Sequence, residues 1–153
     1  MNISDVLNPE LILFPLEAAS KDEAISQLID ILKQNGHLSD IEAAKTAVFN
    51  REKMMTTGVG QGIALPHGKF AEIDDVLISF GISKKGVNFD AIDGIPAHIF
   101  VLLLTPEKYP SKHLALLSKF SKMLNNTVCR EELMAAESAE SIIGILDKYD
   151  STI

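Results

Sequence analysis

The sequence predicts a single α/β domain, residues 1–153, built as a mixed β-sheet flanked by helices on both faces. Three observations carry that expectation. The apolar period runs from helical to strand-like and back to helical along the chain. Hairpin-like turn signals fall among the central strands, which argues against a purely parallel sheet. The 153 residues are 46% apolar, enough for one hydrophobic core, and no repeat or Pro/Gly/Ser linker divides them.

The elements follow in order. Residues 11–16 form a short apolar run that reads as a strand. Ser20, with Glu23 three residues on, reads as a capping box. It opens a helix whose stripe is Ala24, Ile25, Leu28, Ile29 and Leu32, and Asn35-Gly36 ends it. Ser39, followed by Glu42, is a second capping box for a helix ending near Met54. Residues 76–82 read as a strand, Lys84-Lys85-Gly86 as a turn, and 87–89 as a short second strand. Asp93-Gly94 is a further turn signal before 97–104, the best candidate for a buried strand. After Pro106 and Pro110 the helical period returns at Leu114, Leu117, Phe120 and Leu124. Ser111 is a candidate cap there, which puts His113 in the first turn. Two shorter helices are expected near 128–136 and 139–149.

Composition excludes several function classes. The formal net charge is −7, with no run of Lys or Arg and no basic-aromatic interleaving, so no nucleic-acid partner is expected. The apolar runs are too short to span a bilayer. The first 20 residues lack a basic region and do not read as a signal peptide. A single cysteine, Cys129, rules out an internal disulfide. The expectation is a soluble, cytoplasmic protein. His37, His67, His98 and His113 show no metal-ligand spacing with Cys129 or one another, so neither a metal nor another cofactor is expected.

The chemistry concentrates in residues 56–68, where Gly58, Gly60 and Gly62 alternate and Pro66-His67-Gly68 follows. Glycines at that spacing leave backbone N–H groups uncovered and permit close approach of another molecule or of a phosphate. Pro66 stiffens the backbone before His67, and Gly68 leaves one side of it open. A neutral imidazole is a good nucleophile near neutral pH, and its phosphoramidate has a high transfer potential. Nucleotide-loop readings fail, because both the dinucleotide and the Walker A patterns need Gly where Ile63 stands.

Arg51-Glu52, then Thr57-Gly58-Val59-Gly60, then Gly62-Ile63-Ala64-Leu65-Pro66-His67 resembles the pattern of the EIIA type 2 domains, the fructose/mannitol-type and nitrogen-type EIIA family of the bacterial phosphoenolpyruvate-dependent sugar phosphotransferase system. The likeness extends over nearly the whole chain. It implies a mixed sheet flanked by helices and a phosphohistidine at His67. It implies that the phosphocarrier protein HPr gives the phosphoryl group and that a cysteine of an EIIB subunit or domain receives it. The membrane subunit EIIC would be reached only through EIIB. Arg51 and His113 match the family's arginine and second histidine, and so are candidate catalytic partners. A guanidinium offers fixed positive charge, and the first turn of a helix favours an anion. Thr57, in the same loop, is expected to donate to phosphate or to orient His67.

Other residues read as structural. His98 is expected at the surface at a strand start, His37 in a loop, and Cys129 as a half-buried small apolar side chain. Met54 and Met55 could form a docking surface or lie in the core. Two function classes fit the pattern: a carrier that delivers phosphate for sugar uptake, and a regulator that controls partners by its phosphorylation state. A hydrolase working through phosphohistidine fits poorly, for want of a dedicated carboxylate near His67 in sequence.

Overall fold

In a computed structural model, which describes residues 2–108 and 110–152, the expected α/β architecture is present. Two short 3₁₀ turns, Ile3–Asp5 and Pro9–Leu11, precede β1 (Ile12–Leu13). Two helices follow, α1 (Lys21–Gln34) and α2 (Ile41–Met54). Next come β2 (Gly58–Gly60), β3 (Ile63–Ala64), β4 (His67–Lys69), β5 (Leu77–Val87) and β6 (Ala97–Thr105). The chain ends with α3 (Pro110–Leu124), α4 (Thr127–Ala135) and α5 (Ala139–Asp150).

The sheet order is β1-β5-β6-β3-β2, with β4 also paired to β6. The β1–β5, β3–β6 and β4–β6 pairs are parallel, whereas β2–β3 and β5–β6 are antiparallel, so the sheet is mixed. Helices α1 and α2 pack together on one side of it, and α3, α4 and α5 pack together on the other. Between them lies one hydrophobic core, to which β6 contributes seven of its nine residues. Burial on both faces explains why 97–104 reads as a nearly continuous apolar run.

Several boundaries differ from the sequence reading for local reasons. Lys84-Lys85-Gly86 is no turn, because β5 runs through it as a bulge. Ile82 and Val87 pair with Ile99 and Ala97, so five steps on one strand face two on the other. Gly86 takes φ +83° there, and its N–H donates to the Ser83 hydroxyl at 3.0 Å. The second helix is capped by Asp40, which accepts from Ala43 N–H at 3.0 Å, rather than by Ser39. Both residue types cap well, and only the backbone path selects between neighbours. Ser20 does cap α1, but Glu23 reaches back to Ala19 N–H, one residue before the cap. Helix α3 starts at Pro110, so Ser111 lies inside it and the preceding position falls outside the described residues.

The detail that matters most for the site is that β3 and β4 form one broken strand. Ile63 pairs with Ile99, Ala64 with Phe100 and His67 with Leu103, all in the same register along β6. The ladder pauses at Leu65-Pro66. Pro66 has no N–H to give, although its carbonyl accepts from Leu103 N–H at 3.0 Å. Leu65 points its own backbone groups the other way, and its N–H donates to the Thr57 carbonyl at 2.9 Å.

Candidate functional site

The Leu65 carbonyl points away from β6, and His67 takes it. Nδ1 of His67 lies 2.8 Å from that oxygen. A carbonyl can only accept, so Nδ1 carries the proton and Nε2 keeps its lone pair. The ring is half-buried. Burial lowers its pKa below the ordinary imidazole value, the bond to Leu65 opposes that, and the Arg51 cation adds to the lowering. His67 is therefore a neutral base with Nε2 free near pH 7.

His113 stands in the first turn of α3, its ring centroid 5.0 Å from that of His67 and the two planes tilted by 59°. It is 7% exposed. Its Nδ1 is 2.9 Å from the hydroxyl of Thr105, the last residue of β6. Burial first, then the charges of His67, Lys69 and Arg51, push its pKa down to about 4. A neutral ring at pH 7 carries a single N–H. If the Thr105 hydroxyl donates to Nδ1, that N–H is at Nε2, where a hydrogen-bond donor is useful to an anion.

Arg51 comes from the last turn of α2. Its Nη1 donates to the Met55 carbonyl at 2.9 Å, which spends one of its five N–H groups and fixes the plane of the fork. What brings Arg51 to His67 is Gly68. A methyl carbon built on Gly68 would lie 3.2 Å from Ala47 C and from Val48 N, both in the α2 backbone. The glycine thus lets the helix lie almost against β4, and Arg51 follows one turn later. The open side expected beside His67 is in fact filled by α2.

Thr57 is buried, its N–H donates to Glu52 Oε2 at 2.7 Å, and its hydroxyl donates to Glu52 Oε1. The hydroxyl proton is thereby committed, and Thr57 meets His67 only through Leu65. The glycines have steric tasks of their own. A methyl carbon on Gly58 would sit 3.0 Å from Ala91 Cα. Gln61 (φ +57°) and Gly62 (φ +80°) make the two-residue turn of the β2–β3 hairpin, a pair of positive φ angles that matches strand twist. Asp93 clamps that turn by accepting from Gln61 N–H at 2.8 Å and Ile95 N–H at 3.1 Å. One such methyl at Gly60 would touch Asp93.

Glu52 and Thr105 are two residues near the site for which the sequence reading assigned no role. A signal existed for each: Glu52 is half of the Arg-Glu pair, and Thr105 is the polar residue that closes the apolar run 99–104. Exposed apolar side chains accompany the site, with Met54 and Met55 at the end of α2 81% and 67% exposed and Leu114, beside His113, 66% exposed. His98 is half-buried rather than loose at the surface, its Nδ1 donating to the Ser83 carbonyl at 2.8 Å. Cys129 is fully buried and burial pushes its thiol up to about 11, so it is inert. Among the described residues no group of three His, Cys, Asp or Glu could hold a metal, and no helix is long and apolar enough to cross a membrane.

Residues 5–149 match the family model described as "Phosphoenolpyruvate-dependent sugar phosphotransferase system, EIIA 2". A fructose-specific EIIABC component of Bacillus subtilis is 37% identical over 98% of this chain, which spans only 24% of that relative's length. A fructose-specific EIIA component of Haloferax volcanii is 36% identical, over 95% of this chain and 94% of its own. The crystal structure of the nitrogen regulatory protein IIA-Ntr from Neisseria meningitidis superposes with a TM-score of 0.88 at 34% identity, covering 94% of this chain and 98% of that one.

Proposed function

The chain belongs to the EIIA 2 family of the phosphoenolpyruvate-dependent sugar phosphotransferase system, and from that premise we propose that its 153 residues act as one EIIA domain carrying a phosphoryl group on His67 Nε2. The observation that supports this most is the Nδ1–H bond to Leu65, which leaves Nε2 as the nucleophile.

In the accepting step the Nε2 lone pair attacks the phosphorus of phospho-HPr. The P–N bond to the donor breaks, its electron pair returns to the donor imidazole, and a P–Nε2 bond forms. Nδ1 keeps its proton throughout, so the phosphorylated ring carries positive charge, which the Leu65 carbonyl stabilises. In the delivering step a thiolate of an EIIB cysteine attacks the same phosphorus. The P–S bond forms as the P–Nε2 bond breaks, and the electrons return to a ring that becomes neutral again. The retained proton is thus what makes the ring a good leaving group. Arg51 supplies fixed charge and His113 a hydrogen-bond donor to the phosphoryl oxygens, so that positioning and electrostatics do most of the work.

The apolar side chains beside Arg51 and His113 suit brief docking of HPr and EIIB, one after the other, on modest interfaces. The fused EIIABC relative supports an EIIB partner. The fructose-specific relatives favour delivery for sugar uptake, fructose-type, with EIIC reached only through EIIB. The likeness to the Neisseria protein favours a second reading, in which the phosphorylation state of His67 controls partners by binding.

Phosphoprotein made with phosphoenolpyruvate, Enzyme I and HPr should pass its phosphate rapidly to a cognate EIIB cysteine. Transfer to each EIIB of the organism, followed by sugar phosphorylation in membranes, is the measurement. Phosphate retained with every EIIB sinks the delivery reading and leaves the regulatory one.

A further inference from the structure

The carboxylate of Glu52, in the last turn of α2, is 8% exposed and collects three donors. Oε2 accepts from Thr57 N–H at 2.7 Å and from the Lys21 ammonium at 2.8 Å, and Oε1 accepts from the Thr57 hydroxyl. Lys21 also lies over the Phe89 ring, 4.9 Å from its centroid, which holds the ammonium in place. From Thr57 the chain of bonds continues. The Thr57 carbonyl accepts from Leu65 N–H at 2.9 Å, and the Leu65 carbonyl accepts from His67 Nδ1–H at 2.8 Å.

We infer that Glu52 is a positioning residue for phosphoryl transfer: by pinning Thr57 it fixes Leu65, whose carbonyl holds His67 in the tautomer whose Nε2 is nucleophilic. The inference rests on the carrier reading above for its kinetic consequence, but its structural content stands without it.

A carboxylate suits this position for a reason of counting. Thr57 offers two donors side by side and Lys21 a third, and a carboxylate supplies two oxygens with about four acceptor sites. Glutamine has one acceptor oxygen, so its NH₂ group would be set against the Thr57 N–H, the Thr57 hydroxyl or the ammonium. The segment held is the link between α2 and β2, and Leu65 lies where the ladder to β6 pauses. Its N–H bond to Thr57 holds Leu65 on the side away from β6, the side to which its carbonyl also points. A buried pair that merely stabilised α2 would make no difference to which nitrogen of His67 bears the proton.

The test is nitrogen-15 NMR of the histidine side chains in the full chain at pH 7.5, for wild type, Glu52→Gln and Thr57→Val. Thr57→Val keeps the backbone N–H bond and removes only the hydroxyl, so it serves if Glu52→Gln fails to fold. Wild-type His67 should show the pure Nδ1–H pattern. In both variants its nitrogens should move toward the averaged pattern of two exchanging tautomers, more in Glu52→Gln. His98, tied separately to Ser83, should stay unchanged. Phosphate uptake from phospho-HPr should slow about tenfold. A folded variant whose His67 remains locked as Nδ1–H overturns the proposal, whether or not transfer slows. Wild type that takes no phosphate, with tautomers that still respond, fails the carrier reading alone.

Discussion

His67 and His98 are anchored alike, yet their rings face different neighbours. Each donates Nδ1–H to a backbone carbonyl at 2.8 Å, and each is half-buried, His67 on β4 and His98 on the neighbouring β6. The difference lies at the other edge of the ring. His98 lies on the β5 bulge, where a methyl carbon built on Gly86 would be 2.8 Å from its Cε1 and 3.0 Å from its Nε2. That edge is spent on packing. His67 stands instead 5.0 Å from the His113 ring and within the field of Arg51. A glycine matters in both places: Gly86 lets a ring close onto backbone, whereas Gly68 lets a helix come close and bring a cation with it. The carbonyl bond sets the tautomer in both, and the two rings differ in what surrounds Nε2.

The sharpest way to break this contrast is phosphorylation itself. His67→Ala should take up no phosphate from phosphoenolpyruvate, Enzyme I and HPr, while His98→Gln takes up one group as wild type does. Intact-protein mass spectrometry reads both, and the label should be acid-labile and base-stable. Full labelling of His67→Ala would place the acceptor elsewhere.

Next in size are the groups around Nε2. Arg51→Ala and His113→Ala should remain folded and slow transfer by about 10- to 1000-fold, equivalent to about 1.4–4 kcal/mol of transition-state stabilisation. Rapid-quench rates in both directions measure this. Wild-type rates in both variants would leave His67 no better placed than His98.

The smallest effects concern stability. Folded His113 takes a proton only near pH 4, whereas the unfolded chain takes one near the ordinary value of 6.5. Between those values the unfolded state binds more protons, so stability falls as pH falls through this window, by up to about 3 kcal/mol. His113→Gln should flatten that part of a urea-stability profile, and an unchanged slope would count against the buried neutral ring. His98→Gln should keep the slope and lose only about 0.5–1.5 kcal/mol for its bond to Ser83.

Much of the fold was legible because it follows from local rules. The strand at 97–104 shows itself by burial on both faces, and α1 by its apolar stripe and the Ser20 cap. Misreadings arose where one local pattern fits two backbones. Lys84-Lys85-Gly86 has the residues of a turn and of a bulge alike, and Ser39 and Asp40 are equally good caps. Glycines 58, 60 and 62 suggest an anion loop when read alone, and the structure adds steric tasks for them in the hairpin and under the segment packed on it.

The sequence by itself determined the family, the order of elements and which histidine stands in the Pro-His-Gly context, because these depend on residue identities close together in the chain. Only the tertiary structure decided which nitrogen of that histidine is free and what surrounds it. The Leu65 carbonyl is available because it points away from β6 while the N–H of Thr57, the residue opposite, is taken by Glu52. Arg51 arrives because Gly68 admits α2, and His113 because β6 runs parallel to β4 and ends at Thr105 before α3 begins. Those are distances between segments remote in sequence, and they are fixed by packing and register.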